Sequence, residues 1–124
     1  MKKRKIIISF VVEAPLISNN KFYSSKHWTV RYKIATEMHK LIAVIIKENK
    51  IKPITVPFPI NISYSFVTKN KQRDLDNLGG TIKVINDSLV LEGIIPDDSI
   101  KYINKIEMDW VGQGEDKTIV NIWS

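Results

Sequence analysis

Two aspartates stand two residues apart in the stretch KQRDLDNL, residues 71–78, where Asp74 and Asp76 are followed by Asn77 and preceded by Lys69, Lys71 and Arg73. In an extended segment, residues i and i+2 project to the same side, so both carboxylates share one locality. Left alone, such a pair is repulsive, and the adjacent cations relieve it only in part; a divalent ion such as Mg²⁺, which takes hard oxygen ligands and keeps positions for water and phosphate, relieves it directly. The competing reading is local: Asp and Asn are favoured helix N-caps whose side-chain oxygens accept orphan backbone N–H groups. On these residues alone the two readings stand level.

A second acidic pair, Asp97 and Asp98, follows Pro96, and taken alone reads as a turn with solvated aspartates. A helix from Asn77 to Leu91 rises roughly 22 Å at about 1.5 Å per residue, and the seven steps on to Asp98 span roughly 23 Å when extended, so this pair can return beside the first. Lys83, seven residues after Asp76, lies two helical turns on and on the same face, where its ammonium can reach towards a bound phosphate or stand solvated. Gly79 and Gly80 each cost a helix about 1 kcal/mol relative to Ala, which implies close approach by a DNA backbone or a packed partner helix, or else a frayed first turn. His27 and His39 lack a partner at metal-binding spacing and are expected to be structural or DNA-contacting.

The elements that must position these residues follow from periodicity. Ile6 to Val12 is almost continuously apolar and β-branched, which predicts a strand covered on both faces. Residues 13–28, EAPLISNNKFYSSKHW, read as an ordered loop in which Phe22, Tyr23 and Trp28 mingle with Lys21, Lys26 and His27, a candidate DNA contact. From Thr29 to about Asn49, Val30, Ile34, Met38, Leu41, Ile42 and Ile45 recur at helical spacing, with Arg31, Lys33, Glu37 and Lys40 opposite. Three prolines in IKPITVPFP end that helix, and Ile60, Ile62, Tyr64 and Phe66 then alternate with polar residues in a half-buried strand. A second helix begins near Asp76 and ends before Gly93, with Leu75, Leu78, Ile82, Ile85 and Leu89 on one face and Asp76, Gly80, Lys83 and Asp87 nearly opposite. A strand through Tyr102, Ile106 and Met108, a turn at Gly112–Gly114 and a closing strand TIVNIW complete the order β-α-β-α-β-β, with Trp110 and Trp123 expected in the core. The expectation is an α+β domain spanning 1–124, with a mixed sheet and two main helices.

The chain has 124 residues, 19 Lys and Arg against 13 Asp and Glu, and a net charge of +6. That length suits one domain with its own core, and the dispersed cations favour an anionic partner. With no cysteine, disulfide frameworks and thiolate zinc sites are excluded, which suits a reducing cytoplasm. MKKRKIIISFVVEAP superficially resembles a signal peptide, but its seven-residue apolar run without a small-residue cleavage site reads better as a strand, and no transmembrane segment is expected.

The stretch RDLDNLGGTIKVINDSLVLEGIIPDDSIKYI, residues 73–103, resembles the signature of RusA-type Holliday junction resolvases: an Asp-x-Asp-Asn segment, a Lys, an Asp-x-Leu and an Asp-Asp pair. PLISNNKFYSSKHWTVRYKI, residues 15–34, is similar to the family's Pro-x-x-x-Asn loop and His-Trp-x-x-Arg helix entry, particularly in phage-encoded members. By position, the resemblance implies that the metal-binding catalytic carboxylates fall on Asp74, Asp76 and Asp98, with Asp97 adjoining, and the essential lysine on Lys83. It implies a Mg²⁺-dependent (or Mn²⁺-dependent) homodimeric endonuclease that nicks four-way DNA junctions on opposed strands in the bacterial cytoplasm. The DNA backbone would then fall to Lys21, Lys26, His27 and Arg31 in the first half and to Lys69, Lys71 and Arg73 in the second. A non-catalytic branched-DNA-binding protein and a broader flap nuclease are the alternatives.

If cations contact closely spaced phosphates, junction affinity falls steeply with salt as counterions are released; a titration giving a flat log K against log[salt] would contradict a nucleic-acid role.

Overall fold

A computed structural model describes residues 4–18 and 28–124, with Trp28 described by its backbone alone. Four strands form one mixed sheet in the order β1-β4-β2-β3, where β1 is Ile6–Val12, β2 Ile60–Thr68, β3 Ile103–Gln113 and β4 Lys117–Trp123. Two helices, α1 (Trp28–Glu48) and α2 (Gly79–Leu91), pack on each other, and a 3₁₀ turn, Leu75–Leu78, leads into α2. The α+β order expected from periodicity is the one observed.

β2 is the central strand. Its alternation puts Ile60, Ile62, Tyr64, Phe66 and Thr68 into the core and Asn61, Ser63, Ser65 and Val67 on the other face. It runs parallel to β3 and antiparallel to β4. The parallel pairing requires the chain to return over the sheet, and the 3₁₀ turn and α2 are that crossover.

Two expectations change here. β1 pairs only with β4, so it is an edge strand, and Ile6 and Val11 are exposed; an unbroken apolar run does not distinguish an edge from a centre. The turn after Gln113 does not close a hairpin. It carries the chain across the end of β2, so that β4 pairs on β2's far side, and Gly112 and Gln113 still belong to β3. As the other edge, β3 leaves Ile106 and Trp110 half-exposed, and Trp123 is half-buried on the open face, so neither tryptophan is a core residue.

Helix α2 is buried along Gly80, Thr81, Ile82, Val84, Ile85, Asn86, Ser88 and Leu89, which leaves Lys83 and Asp87 as its accessible stripe. Gly80 is on the enclosed side, contrary to the expectation that placed it with Lys83. A Cβ there would meet the Ile17 Cγ2 and carbonyl oxygen at 3.0 Å, so the close approach is made by the chain leaving β1 and not by a helix. The contact is pinned by the Ile17 N–H, which donates to Thr81 Oγ1 at 2.7 Å.

At its other end α2 stops in a Schellman motif. The Gly93 N–H donates to Val90 O at 3.0 Å and the Ile94 N–H to Leu89 O at 2.9 Å, with Gly93 at φ +73°. Leu89 and Ile94, the hydrophobic pair of the motif, are both buried, and the chain leaves at a fixed angle towards Pro96 and the second acidic pair.

Gly93 has open space around its Cα but a left-handed backbone, so Gly93→Ala is expected to destabilise by about 1–2 kcal/mol through conformational strain alone, read as a lower urea midpoint with an unchanged slope.

Candidate active site

The exit of β2, the 3₁₀ turn, the stripe of α2 and the loop after Pro96 carry the candidate residues. Asp74 occupies the N-cap position of the 3₁₀ turn in an extended conformation, yet its side chain makes no capping hydrogen bond; the Asn77 N–H closes the turn on the Asp74 carbonyl at 3.1 Å. Leu78 is the N-cap of α2 and supplies no side-chain cap either. Capping therefore does not explain Asp74. Asp76 lies inside the turn and not in an extended segment, so the two carboxylates are not related by strand alternation; both are exposed, and Asp76 and Asn77 each have an interaction partner.

Of the second acidic pair, Asp98 comes back to α2 at Lys83, and it does not join Asp74 and Asp76 in one metal-holding group. Lys83 Nζ stands 3.1 Å from Asp87 Oδ1 and 3.6 Å from Asp98 Oδ2. Its ammonium is thus turned into a carboxylate pair and is not simply solvated. The hydrogen bond that Lys83 donates to Asp87, then the charges of Asp87 and Asp98, raise the Lys83 pKa above the ordinary lysine value despite partial desolvation. A raised lysine pKa means that the contribution to stability is complete at neutral pH and is lost only as pH climbs through the lysine range. Asp97, which precedes Asp98 in the chain, is exposed.

Asp98 also acts inward. The buried Tyr64 hydroxyl donates to Asn86 Oδ1, and its pKa is raised first by burial and then by the charge of Asp98. Tyr64 and Asn86 were not singled out from sequence. The available signal was a lone Asn among the apolar positions of α2.

The basic residues are less free than composition suggests. Lys69 Nζ pairs with Glu115 at 3.2 Å, Arg73 Nη1 lies 3.5 Å from Asp116 Oδ2, and Asp116 also accepts the Lys69 N–H at 2.9 Å. The turn between β3 and β4 thereby holds the segment that leads to Asp74. Lys71 is exposed, and Arg31 is half-buried on α1. Lys21, Lys26 and His27, with Phe22 and Tyr23, lie outside the described residues. His39 is half-buried, and its Nε2 has no hydrogen-bond partner among the described residues.

The donors suit Mg²⁺ in type and access: Asp74, Asp76 and Asp97 are exposed carboxylates and Asp98 is partly so. In spacing, no three acidic or histidine side chains among the described residues stand together as a metal-holding group. No helix among them is long and apolar enough to cross a membrane. Comparison with models of known families and with curated proteins gives no match.

Lys83, Asp87 and Asp98 are all more than one-third exposed on their side chains, so their ion pairs add little to stability. Lys83→Ala is expected to change the unfolding free energy by less than about 1 kcal/mol, measured by urea titration, which leaves a folded protein for kinetic comparison.

Proposed function

We propose that this chain is a divalent-metal-dependent endodeoxyribonuclease acting on four-way DNA junctions, with Asp74, Asp76, Asp98 and Lys83 as its catalytic residues and Asp97 adjoining. The observation that carries the reading is the 3.6 Å approach of Lys83 to Asp98, which returns the second acidic pair to the helix that starts at the first. The motif resemblance requires that return, and requires further that Asp98 meet Asp74 and Asp76 at one metal ion.

Bound Mg²⁺, or Mn²⁺ in its place, would supply Lewis-acid polarisation of the scissile phosphate and a water of lowered pKa, held by Asp74, Asp76 and Asp98 with Asp97 beside them. Lys83 is an ammonium at neutral pH, as lysines are, and Asp87 and Asp98 raise its pKa further; a cation there offsets charge that grows on the phosphate oxygens in the transition state. Lys69, Lys71, Arg73 and Arg31 would hold backbone phosphates, and the buried Tyr64 hydroxyl, bonded to Asn86, lies within reach of the Asp98 charge. A two-fold dimer would offer two such sites to opposed strands.

A second reading keeps the DNA role without catalysis, and one observation favours it: Lys83 already satisfies Asp87 and Asp98, as a purely structural ion-pair cluster would. Cleavage separates the two. Purified protein offered a mobile four-way junction, a flap and a linear duplex, each with Mg²⁺ or EDTA, is expected to nick the junction preferentially and only with metal. Binding without nicking under every condition selects the second reading.

Asp76→Asn keeps side-chain size and removes the charge. Cleavage is expected to collapse by about 10²-fold or more with the fold intact, whereas metal-free junction binding holds or tightens because one negative charge near the phosphates is gone. Wild-type single-turnover rates in a folded Asp76→Asn protein would sink the site.

A further inference from the structure

Beside the carboxylate turn lies a cleft of about 380 Å³, lined by Thr68, Lys71, Arg73, Leu75, Leu78 and Trp110. Leu75 sits between Asp74 and Asp76 in the chain, so one wall of the cleft is the inner side of the turn that carries them. Trp110 is on the edge strand and 46% exposed. Its ring is not adrift: Trp110 Nε1 donates to Thr68 Oγ1 at 2.9 Å, and Thr68 is itself buried at the end of β2. An indole whose polar edge is already satisfied has only its apolar faces left to offer, and aliphatic Leu75 and Leu78 complete a lining that suits a flat, uncharged ring system. Two cations share the lining, Lys71, which is exposed, and Arg73, which pairs with Asp116.

A cleft that sets an indole and two leucines beside two cations matches one ligand chemistry on both counts: a nucleobase out of its stack, joined to phosphates on either side. Paired duplex cannot present a base face to it, whereas an unpaired or single-stranded nucleotide can. We propose that Trp110 is a stacking platform for an unpaired nucleobase, with Lys71 and Arg73 taking the flanking phosphates, so that the strand is seated next to Asp74 and Asp76. This deepens the nuclease reading and rests on its assignment of DNA as the partner. Trp110 is a binding and positioning residue here, since no contact with reacting atoms is required of it.

The test compares a short single-stranded oligothymidylate with a blunt duplex of the same length, both in EDTA so that nothing is cut, on wild type, Trp110→Ala and Trp110→Phe. Loss of one stacked base is expected to weaken single-strand binding about tenfold in Trp110→Ala. Duplex affinity should stay within about twofold, because phosphate contacts are untouched. Trp110→Phe, which keeps an aromatic face, should recover most of the loss. Should Trp110→Ala fail to fold, Trp110→Leu keeps apolar volume without the aromatic face and carries the same expectation. Wild type that binds DNA while neither variant alters the single-strand preference overturns the platform and leaves the nuclease reading in place. Equal losses on both substrates overturn it as well, since a general structural defect would produce that. Wild type that binds neither DNA overturns the platform together with the DNA role.

Discussion

Enclosure of α2 is the constraint from which the rest follows. The helix is buried against the sheet, α1 and the chain leaving β1, and Lys83 and Asp87 form its accessible stripe. Both ends are fixed. At the start, Gly80 admits the Ile17 carbonyl so closely that a Cβ would stand 3.0 Å from it and force the chain to give way; at the finish, Gly93 turns the chain left-handed, with Ile94 and Leu89 both buried. A helix held at both ends and enclosed along its length has no freedom to rotate, so the direction of Lys83 is set by apolar packing.

Magnitudes support that order of cause. Burying a Leu, Ile or Val side chain contributes about 1.5–3 kcal/mol, and α2 buries Ile82, Val84, Ile85 and Leu89. An exposed ion pair contributes about 0–1 kcal/mol. The pairs of Lys83 with Asp87 and Asp98 are therefore positioned by the fold and do little to hold it, which frees these residues for another task. The Tyr64–Asn86 hydrogen bond is different in kind. Both groups are buried, and leaving either without its partner would cost about 1–3 kcal/mol.

Local signals made much of this legible from sequence. The period-two alternation of residues 60–68, the helical period of 29–49 and the Gly at 93 were read directly, because each reflects a residue's own backbone preference or face. Chain length alone allowed Asp98 to reach back along α2, but that it would meet Lys83 and not stand grouped with Asp74 and Asp76 was not legible. What sequence did not reveal depends on partners distant in the chain. An apolar run gave no hint that β1 is an edge, since that depends on which strand lies beyond it. The crossing of β4 over β2 was hidden behind a glycine turn that also suits a hairpin. A glycine at 80 signals close approach, but the face it takes and its partner were not legible: it lies on the enclosed side against Ile17, 63 residues earlier in the chain. Trp110 looked like core because aromatics on strands usually are; only the edge position of β3 exposes it.

The two faces of the sheet also divide the charge. On the open face Arg4 makes a two-pronged pair with Glu107 at 2.7 and 2.8 Å and stacks on Trp123 at 4.0 Å, Lys105 joins the same carboxylate at 2.9 Å, and Ser65 binds Asp109 at 2.6 Å. With Arg4 the largest influence, then Lys105, Glu107 is held down to about 2, so these charges remain paired through the whole neutral range and compensate one another. A long-range field needs uncompensated charge. On α1, Arg31, Lys33, Lys40 and Lys47 outnumber Glu37 and Glu48, and Lys71 stands exposed at the β2 exit. Among these elements the uncompensated positive charge therefore lies on α1, whereas α2 carries Lys83 against Asp87, and at the carboxylate turn Lys69 and Arg73 are paired with Glu115 and Asp116, so the field there is set by the aspartates and Lys71 together.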